Sequence, residues 1–150
     1  MQSEDLQDIE AIKQLKARYF RFLDTKQWDD FARVFSEEAE IDVTDDVGDE
    51  EGHVQGRQNI ADFIRQAVGE AQTVHHGHMP EIQIQDHGRA TGIWAMFDYV
   101  EFSSKEGERS GLKGYGHYHE SYVKHEGHWQ ISRMRLARLR IDSLSSSVIL

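Results

Sequence analysis

Apolar side chains recur at three- and four-residue steps at the start of the chain: Leu6, Ile9, Ile12, Leu15, Tyr19 and the Phe22/Leu23 pair. That period draws one stripe along a helix of about 3.6 residues per turn. After "DTKQ", the spacing of Trp28, Phe31, Val34 and Phe35 predicts a short second helix with those four on its apolar face. "AEIDVT" has the character of a strand, and the acid-dense "DDVGDEEG" behind it that of a solvated loop. Helical period returns in "GRQNIADFIRQAVGEA" through Ile60, Phe63, Ile64 and Ala67.

From Val74 the period shortens to that of strands. "QDHG", "KEGERSG" and "HEGH" divide residues 74–142 into four segments of strand length, each break holding a glycine as hairpin turns require. Helices followed by a run of antiparallel strands predict an α+β fold. A curved antiparallel sheet wrapped around the N-terminal helices makes a cone with a pocket inside. No repeat or linker interrupts the pattern, so residues 1–150 are expected to form one domain with a core at about 8–141. Residues 142–150 are expected to form a tail, either loose or docked by its apolar tip on a neighbouring subunit.

One strand carries an anomaly. In "RATGIWAMFDYVEF" the even positions are Ala90, Gly92, Trp94, Met96, Asp98, Val100 and Phe102, so Asp98 falls within an otherwise apolar face. A carboxylate there is costly unless it is paired or hydrogen-bonded. It is either part of a site, orienting a base, or a structural group that caps a turn or pairs with an arginine.

Composition removes several classes of function. The balance of 17 Lys+Arg against 27 Asp+Glu leaves a formal charge of −10, a field that repels nucleic-acid phosphates. Without cysteine there is no disulfide, thiolate metal site or thiol nucleophile. The acidic start "MQSEDLQDIEA" is unlike a signal peptide, and no apolar run is long enough to span a bilayer. A cytoplasmic protein without membrane or nucleic-acid partners is expected.

Three of the nine histidines fall in "HHGH", as His75, His76 and His78. Strict alternation puts His76 and His78 on the face of Ile82 and Ile84, with His75 opposite, but the Gly and Pro of "GHMP" could introduce a bulge that reverses the phase. Alternation alone does not choose among the three. His117 and His119 share another strand face, and two such pairs could surround Zn²⁺ or Fe²⁺. "HYHE" opens like a double-stranded β-helix metal motif, yet Val123 and Lys124 stand where that motif needs a carboxylate, so no metal is expected. A neutral imidazole, with an ordinary pKa of about 6.5, acts as a base when something orients it, and Asp98 is a candidate partner. Taken alone, Tyr19 is a core aromatic, Asp24 a local cap, and the arginines of "RMRLARLR" surface partners for acids; one of them could reach a substrate oxygen.

The segments "DIEAIKQLKARYFRFLDTKQWDDFARVF", "GRQNIADFI", "HHGHMPEI" and "ATGIWAMFDYVEF" together resemble the SnoaL-like branch of the nuclear-transport-factor-2-like superfamily. Within it they look most like the bile-acid 7α-dehydratases, with fungal scytalone dehydratases more distant, over about Asp8 to Ile141. Position by position, the resemblance puts pocket residues at Tyr19 and Asp24, the essential histidine at His75, the following carboxylate at Asp98 and the last-strand arginine at Arg138. It implies elimination of water without a cofactor from a hydroxylated carbonyl compound, steroid- or polyketide-like. His75 would be the base, Tyr19 backed by Asp24 or the same histidine the proton source, and Asp98 the holder of the imidazole tautomer. Arg138 would steady a carbonyl or acidic tail, and Trp94 would line the substrate pocket. The family carries a further pocket tyrosine where this chain has "EIDVTD", and His117 or His119 could supply the missing donor. An isomerase or cyclase with the same groups, or a ligand-binding domain without turnover, are the alternatives. The resemblance also implies a homo-oligomer, a trimer before a dimer.

Overall fold

The protein is described by a computed structural model over residues 3–103 and 108–144. Most of the expected tail, residues 145–150, and part of the "KEGERSG" turn lie outside the described residues. Helix α1 spans Ser3–Asp24, with Glu4 and Asp5 in its first turn and Arg21 in its last, matching the helix dipole at both ends. It buries Ile12, Leu15, Tyr19 and Leu23, the aliphatic members each worth roughly 1.5–3 kcal/mol relative to exposure. Leu6, placed on the same stripe by sequence, lies largely in solvent.

The end of α1 is sharply defined. Lys26 adopts φ 58, and the amides of Lys26 and Gln27 bond back to the carbonyls of Leu23 and Phe22. This is a Schellman closure built on a lysine in place of the usual glycine. It stops the helix at Asp24 and leaves that carboxylate directed at the sheet.

Helix α2 spans Trp28–Arg33 and gives way at once to strand β1, Phe35–Asp42. Phe35 therefore opens a strand where periodicity placed it on a helix, although it is buried either way. The expected loop at 45–52 is more ordered than its acidity suggested. It holds helix α3, Thr44–Val47, and a 3₁₀ turn, Glu50–Gly52. Asp42 starts that segment by accepting from the Thr44 amide and hydroxyl at 3.0 and 2.7 Å. Strand β2, His53–Gln55, and helix α4, Arg57–Val68, follow.

Four long strands complete the chain: β3 Gln72–Asp86, β4 Arg89–Phe102, β5 Ser110–His125 and β6 His128–Ser143. The sheet runs β2-β1-β6-β5-β4-β3, antiparallel throughout except for the parallel β1–β6 pair. It is curved but does not close, and its inner face carries the core: Trp94, Met96, Tyr118, Tyr122, Ile131, Met134 and Leu136 are all buried.

Among the sheet's register shifts, two set the phase beside the cavity. Between His78 and Glu81, two residues of β3 stand opposite one of β4, and Met79 takes φ 38. The bulge reverses the alternation, so His75 and Gly77 share a face with Ile82 and Ile84 while His76 and His78 turn to solvent. On β6 the register shifts around Leu139, which lies largely in solvent. Arg138, paired with Gly116, faces inward, whereas Arg140 lies exposed and bonds Asp142.

Candidate active site

His75 and Asp98 are direct cross-strand partners on β3 and β4. The closure of α1 brings Asp24 to the same place. Its carboxylate accepts from the His75 amide at 2.8 Å, from the Thr73 hydroxyl at 2.9 Å, and lies 2.6 Å from His75 Nδ1. An ionised carboxylate can only accept, so Nδ1 carries a proton, and in the neutral ring the lone pair belongs to Nε2. Nε2 is 3.8 Å from Asp98 Oδ2, too far for a hydrogen bond. The ring stacks on Phe20 and its side chain is 8% exposed.

Asp98 is held from the far side by Arg138, with Nη1–Oδ1 2.7 Å and Nη2–Oδ2 3.0 Å. The same guanidinium grips Asp46 of α3, through Nε–Oδ1 2.6 Å and Nη2–Oδ2 3.1 Å. Its remaining proton faces Met96 Sδ at 3.6 Å. Burial works against the guanidinium's charge, but the bonds to Asp98 and Asp46 outweigh it and push the pKa above its ordinary value. All five N–H donors of Arg138 are thus occupied within the protein. Gly114 makes the arrangement possible, because a β-carbon there would fall on Arg138 Nη1 and Asp98 Oδ1.

These groups border a cavity of about 180 Å³ under the inner face of the sheet. Leu23, Phe63, Ile64, Val68, Val100 and Leu136 make most of its wall apolar, while Tyr19, His75, Asp98, Tyr118, Asp46 and Arg138 supply the polar points. Burial and the Glu120 carboxylate raise the Tyr19 phenol above its ordinary pKa, and burial with Tyr19 and Asp98 does the same for Tyr118. Both phenols therefore stay protonated, and because they are hydrogen-bonded to each other, one of the two protons is left for a ligand.

Behind the tyrosines lies a second buried cluster. Lys16 Nζ sits 3.7 Å from the Tyr19 ring centre and 3.6 Å from that of Tyr118, and bonds Glu120 Oε2 at 2.6 Å. Tyr122 donates to the other Glu120 oxygen at 2.7 Å and accepts from Trp94 Nε1 at 3.0 Å. Burial, partly opposed by Glu120, pulls the Lys16 ammonium down to about 8.

Of the residues expected from sequence, Tyr19, Asp24, His75, Asp98 and Arg138 converge at or beside one cavity. The partnership differs from expectation: Asp24, not Asp98, bonds the His75 ring, and Asp98 belongs to Arg138. Three expected substrate contacts lie elsewhere. Trp94 is spent on Tyr122, in the core and away from the cavity wall. His117 and His119 alternate with the inward Tyr118 and Glu120, so they project from the outer face of β5. His76 and His78 stack on each other on that outer side, and among the described residues no three His, Asp or Glu side chains converge as metal ligands.

Sequence reasoning missed Asp46, Tyr118, Gly114 and the Lys16–Glu120 pair. Tyr118 was recoverable from alternation with His117 and His119, and it brings a phenol to a pocket whose "EIDVTD" segment has no tyrosine. Lys16 lies on the apolar stripe, four residues beyond Ile12. Nothing local distinguishes Asp46 from the acids around it.

The SnoaL-like domain matches residues 4–135. A protein of Gibberella zeae named as a cyclase is 27% identical over 140 residues, covering 89% of this chain and 93% of that one. The fold superimposes on the crystal structure of a scytalone dehydratase-like protein from Novosphingobium aromaticivorans with a TM-score of 0.82, at 19% identity, over 95% of this chain and 91% of that one. A hexachlorocyclohexane dehydrochlorinase of LinA type 3 from Novosphingobium barchaimii gives 0.77 at 16% identity, over 97% and 96% of the two chains. The chain belongs to the SnoaL-like family, on the nuclear-transport-factor-2-like fold.

Proposed function

We propose that the protein is a cofactor-independent hydro-lyase acting on a small hydroxylated carbonyl compound. One observation carries the reading: His75 is locked at Nδ1 by Asp24 at 2.6 Å, and the ring borders an apolar cavity. Nε2 takes the proton from the carbon beside the carbonyl. The electron pair left behind becomes the new carbon–carbon double bond as the carbon–oxygen bond to the hydroxyl breaks. The imidazolium returns its proton to the departing oxygen, which leaves as water, and His75 is neutral again. Between these steps the imidazolium lies between the carboxylates of Asp24 and Asp98. Tyr19 and Tyr118, hydrogen-bonded to each other, leave one phenol proton to donate to the carbonyl oxygen, where negative charge grows. Raised phenol pKa values favour that role over proton delivery, and favour His75 as the proton carrier.

Acid–base assistance of this kind is worth about 10²–10⁴-fold, so it suits a substrate already activated by a carbonyl. A panel of cyclic β-hydroxy ketones, followed for new ultraviolet absorbance and for loss of the mass of one water, tests the proposal. Turnover should fall by about 10²-fold or more in His75→Gln and in Asp24→Asn, since the latter frees the wrong tautomer. Undiminished turnover in His75→Gln sinks the mechanism. A folded wild type that binds panel members without converting any leaves a ligand-binding domain.

The cyclase name of the Gibberella zeae relative supports a second reading, ring closure or isomerisation by the same histidine. Mass is then conserved while absorbance changes, which separates it from dehydration. We include assembly as a homo-oligomer, a trimer before a dimer, and sedimentation at micromolar concentration checks it.

A further inference from the structure

We infer that Asp46 is a specificity-determining residue which makes this cavity select uncharged substrates and reject carboxylates. The inference rests on the proposed site, and it names what that site admits. Arg138 is the one cation among the cavity-lining residues, and the natural anchor for an acidic substrate, since its fork matches a carboxylate in two places. One edge of that fork is closed by Asp98 and the other by Asp46, which lines the cavity beside it. No N–H of the guanidinium remains for a ligand.

The charge count points the same way. Asp24, Asp46 and Asp98 surround the site against a single guanidinium. A further carboxylate brought in from water would lose its hydration, find no free donor in Arg138, and face three like charges. An uncharged carbonyl compound meets only apolar wall and the two phenols. Size narrows the class further. An apolar cavity of about 150 Å³ holds benzene, so about 180 Å³ suits a compound of one or two rings rather than four.

Asp46 is also the removable part of the device. It is about a third exposed and stands on α3, whose hold on β6 keeps a second tie through Asp45, bonded to the Arg138 amide at 2.9 Å. Without the Asp46 side chain, Nε–H and one Nη2–H of Arg138 turn to the cavity as a vacant fork.

Benzamide and benzoate, matched in shape and differing in charge at neutral pH, are the probes. Their affinities for the wild-type protein, Asp46→Ala, Asp46→Asn and Asp46→Ala/Arg138→Met are measured by ligand-observed NMR, with amide spectra to establish folding. Wild type should prefer benzamide, and Asp46→Ala should move the ratio about tenfold or more towards benzoate, the scale of charge-assisted hydrogen bonds. Asp46→Asn, which keeps one acceptor, should move it less, and the double variant should lose the gain. An unchanged ratio in Asp46→Ala and Asp46→Asn, a gain that survives loss of Arg138, or binding of neither probe to any of the four proteins overturns the inference. These are binding measurements. If His75 proves not to be a base, the ratio still stands or falls alone, and a failed ratio leaves the proton-transfer proposal untouched.

Discussion

Lys16 and Glu120 offer the sharpest test of how this fold tolerates charge in its core. Both side chains are fully buried and bonded to each other at 2.6 Å. Lys16→Met keeps the length of the side chain and removes its charge, leaving Glu120 with only the Tyr122 hydroxyl. Breaking a buried pair from one side costs about 3–5 kcal/mol, because the surviving charge is neither solvated nor paired. For a chain of this size each kcal/mol moves the midpoint by about 2–4 °C, so the single variant should melt roughly 6–20 °C lower. Lys16→Met/Glu120→Gln removes both charges, and the Tyr122 hydroxyl still has an acceptor. It should recover at least about 2 kcal/mol of the loss, since replacing a whole buried pair is often close to neutral. Urea unfolding of wild type, both singles and the double yields the coupling directly. A Lys16→Met variant destabilised by less than about 1 kcal/mol, or a double variant as unstable as the sum of the singles, refutes the reasoning.

The same lysine gives a pH signature. Its folded-state pKa of about 8 lies below the ordinary 10.5, so between those values the unfolded chain holds a proton that the folded protein has released. Stability then rises with pH across that window, has no pH slope from this group below it, and the rise should be missing from Lys16→Met; a difference curve that falls with pH contradicts the assignment. At Gly114 a methyl group must displace the Asp98–Arg138 pair, so Gly114→Ala should cost up to about 3–5 kcal/mol. Gly88→Ala, with open space around it, is the matched control in the same melting experiment, and equal midpoints for the two would show that Gly114 has no such role.

Much of the fold follows from period alone, because long elements average out local exceptions. The α1 stripe and the four hairpin strands are of that kind, each carrying several turns or alternations of one signal. Short elements are not. Helix α3 is four residues of mostly acidic sequence, and what orders it is Arg138 ninety-two positions away from Asp46, a contact absent from any local window. Phase was harder still. Met79 and Leu139 mark single irregularities, and each decides which side chains of its strand look inward. A glycine–proline pair showed that a bulge was available on β3, but not where it would fall. The histidine that faces the cavity was therefore indicated by family resemblance before alternation could choose it.

Asp98 shows why a correct anomaly can carry an incomplete meaning. Its place on an apolar face signalled an unusual carboxylate, and two explanations competed: a site residue or the partner of an arginine. In the folded protein it is the partner of an arginine and also lines the cavity. It borders the cavity 3.8 Å from His75 Nε2 while Arg138 holds both of its oxygens. The two roles depend on each other. A carboxylate without a counter-ion is expensive at that depth, whereas one held by Arg138 is kept in place and still adds negative potential where an imidazolium would form. Arg138 in turn is tied to the sheet and to α3, so its position is over-determined. The consequence is a division of labour between two aspartates that sequence treats as equivalent. Asp24 sets the tautomer by direct contact, and Asp98 acts on the ring only through space. Asp24→Asn should therefore change which nitrogen is protonated, while Asp98→Asn should leave the tautomer alone and weaken only the stabilisation of the charged ring. ¹⁵N shifts of the His75 imidazole distinguish the two, and an altered tautomer in Asp98→Asn would contradict the assignment of roles.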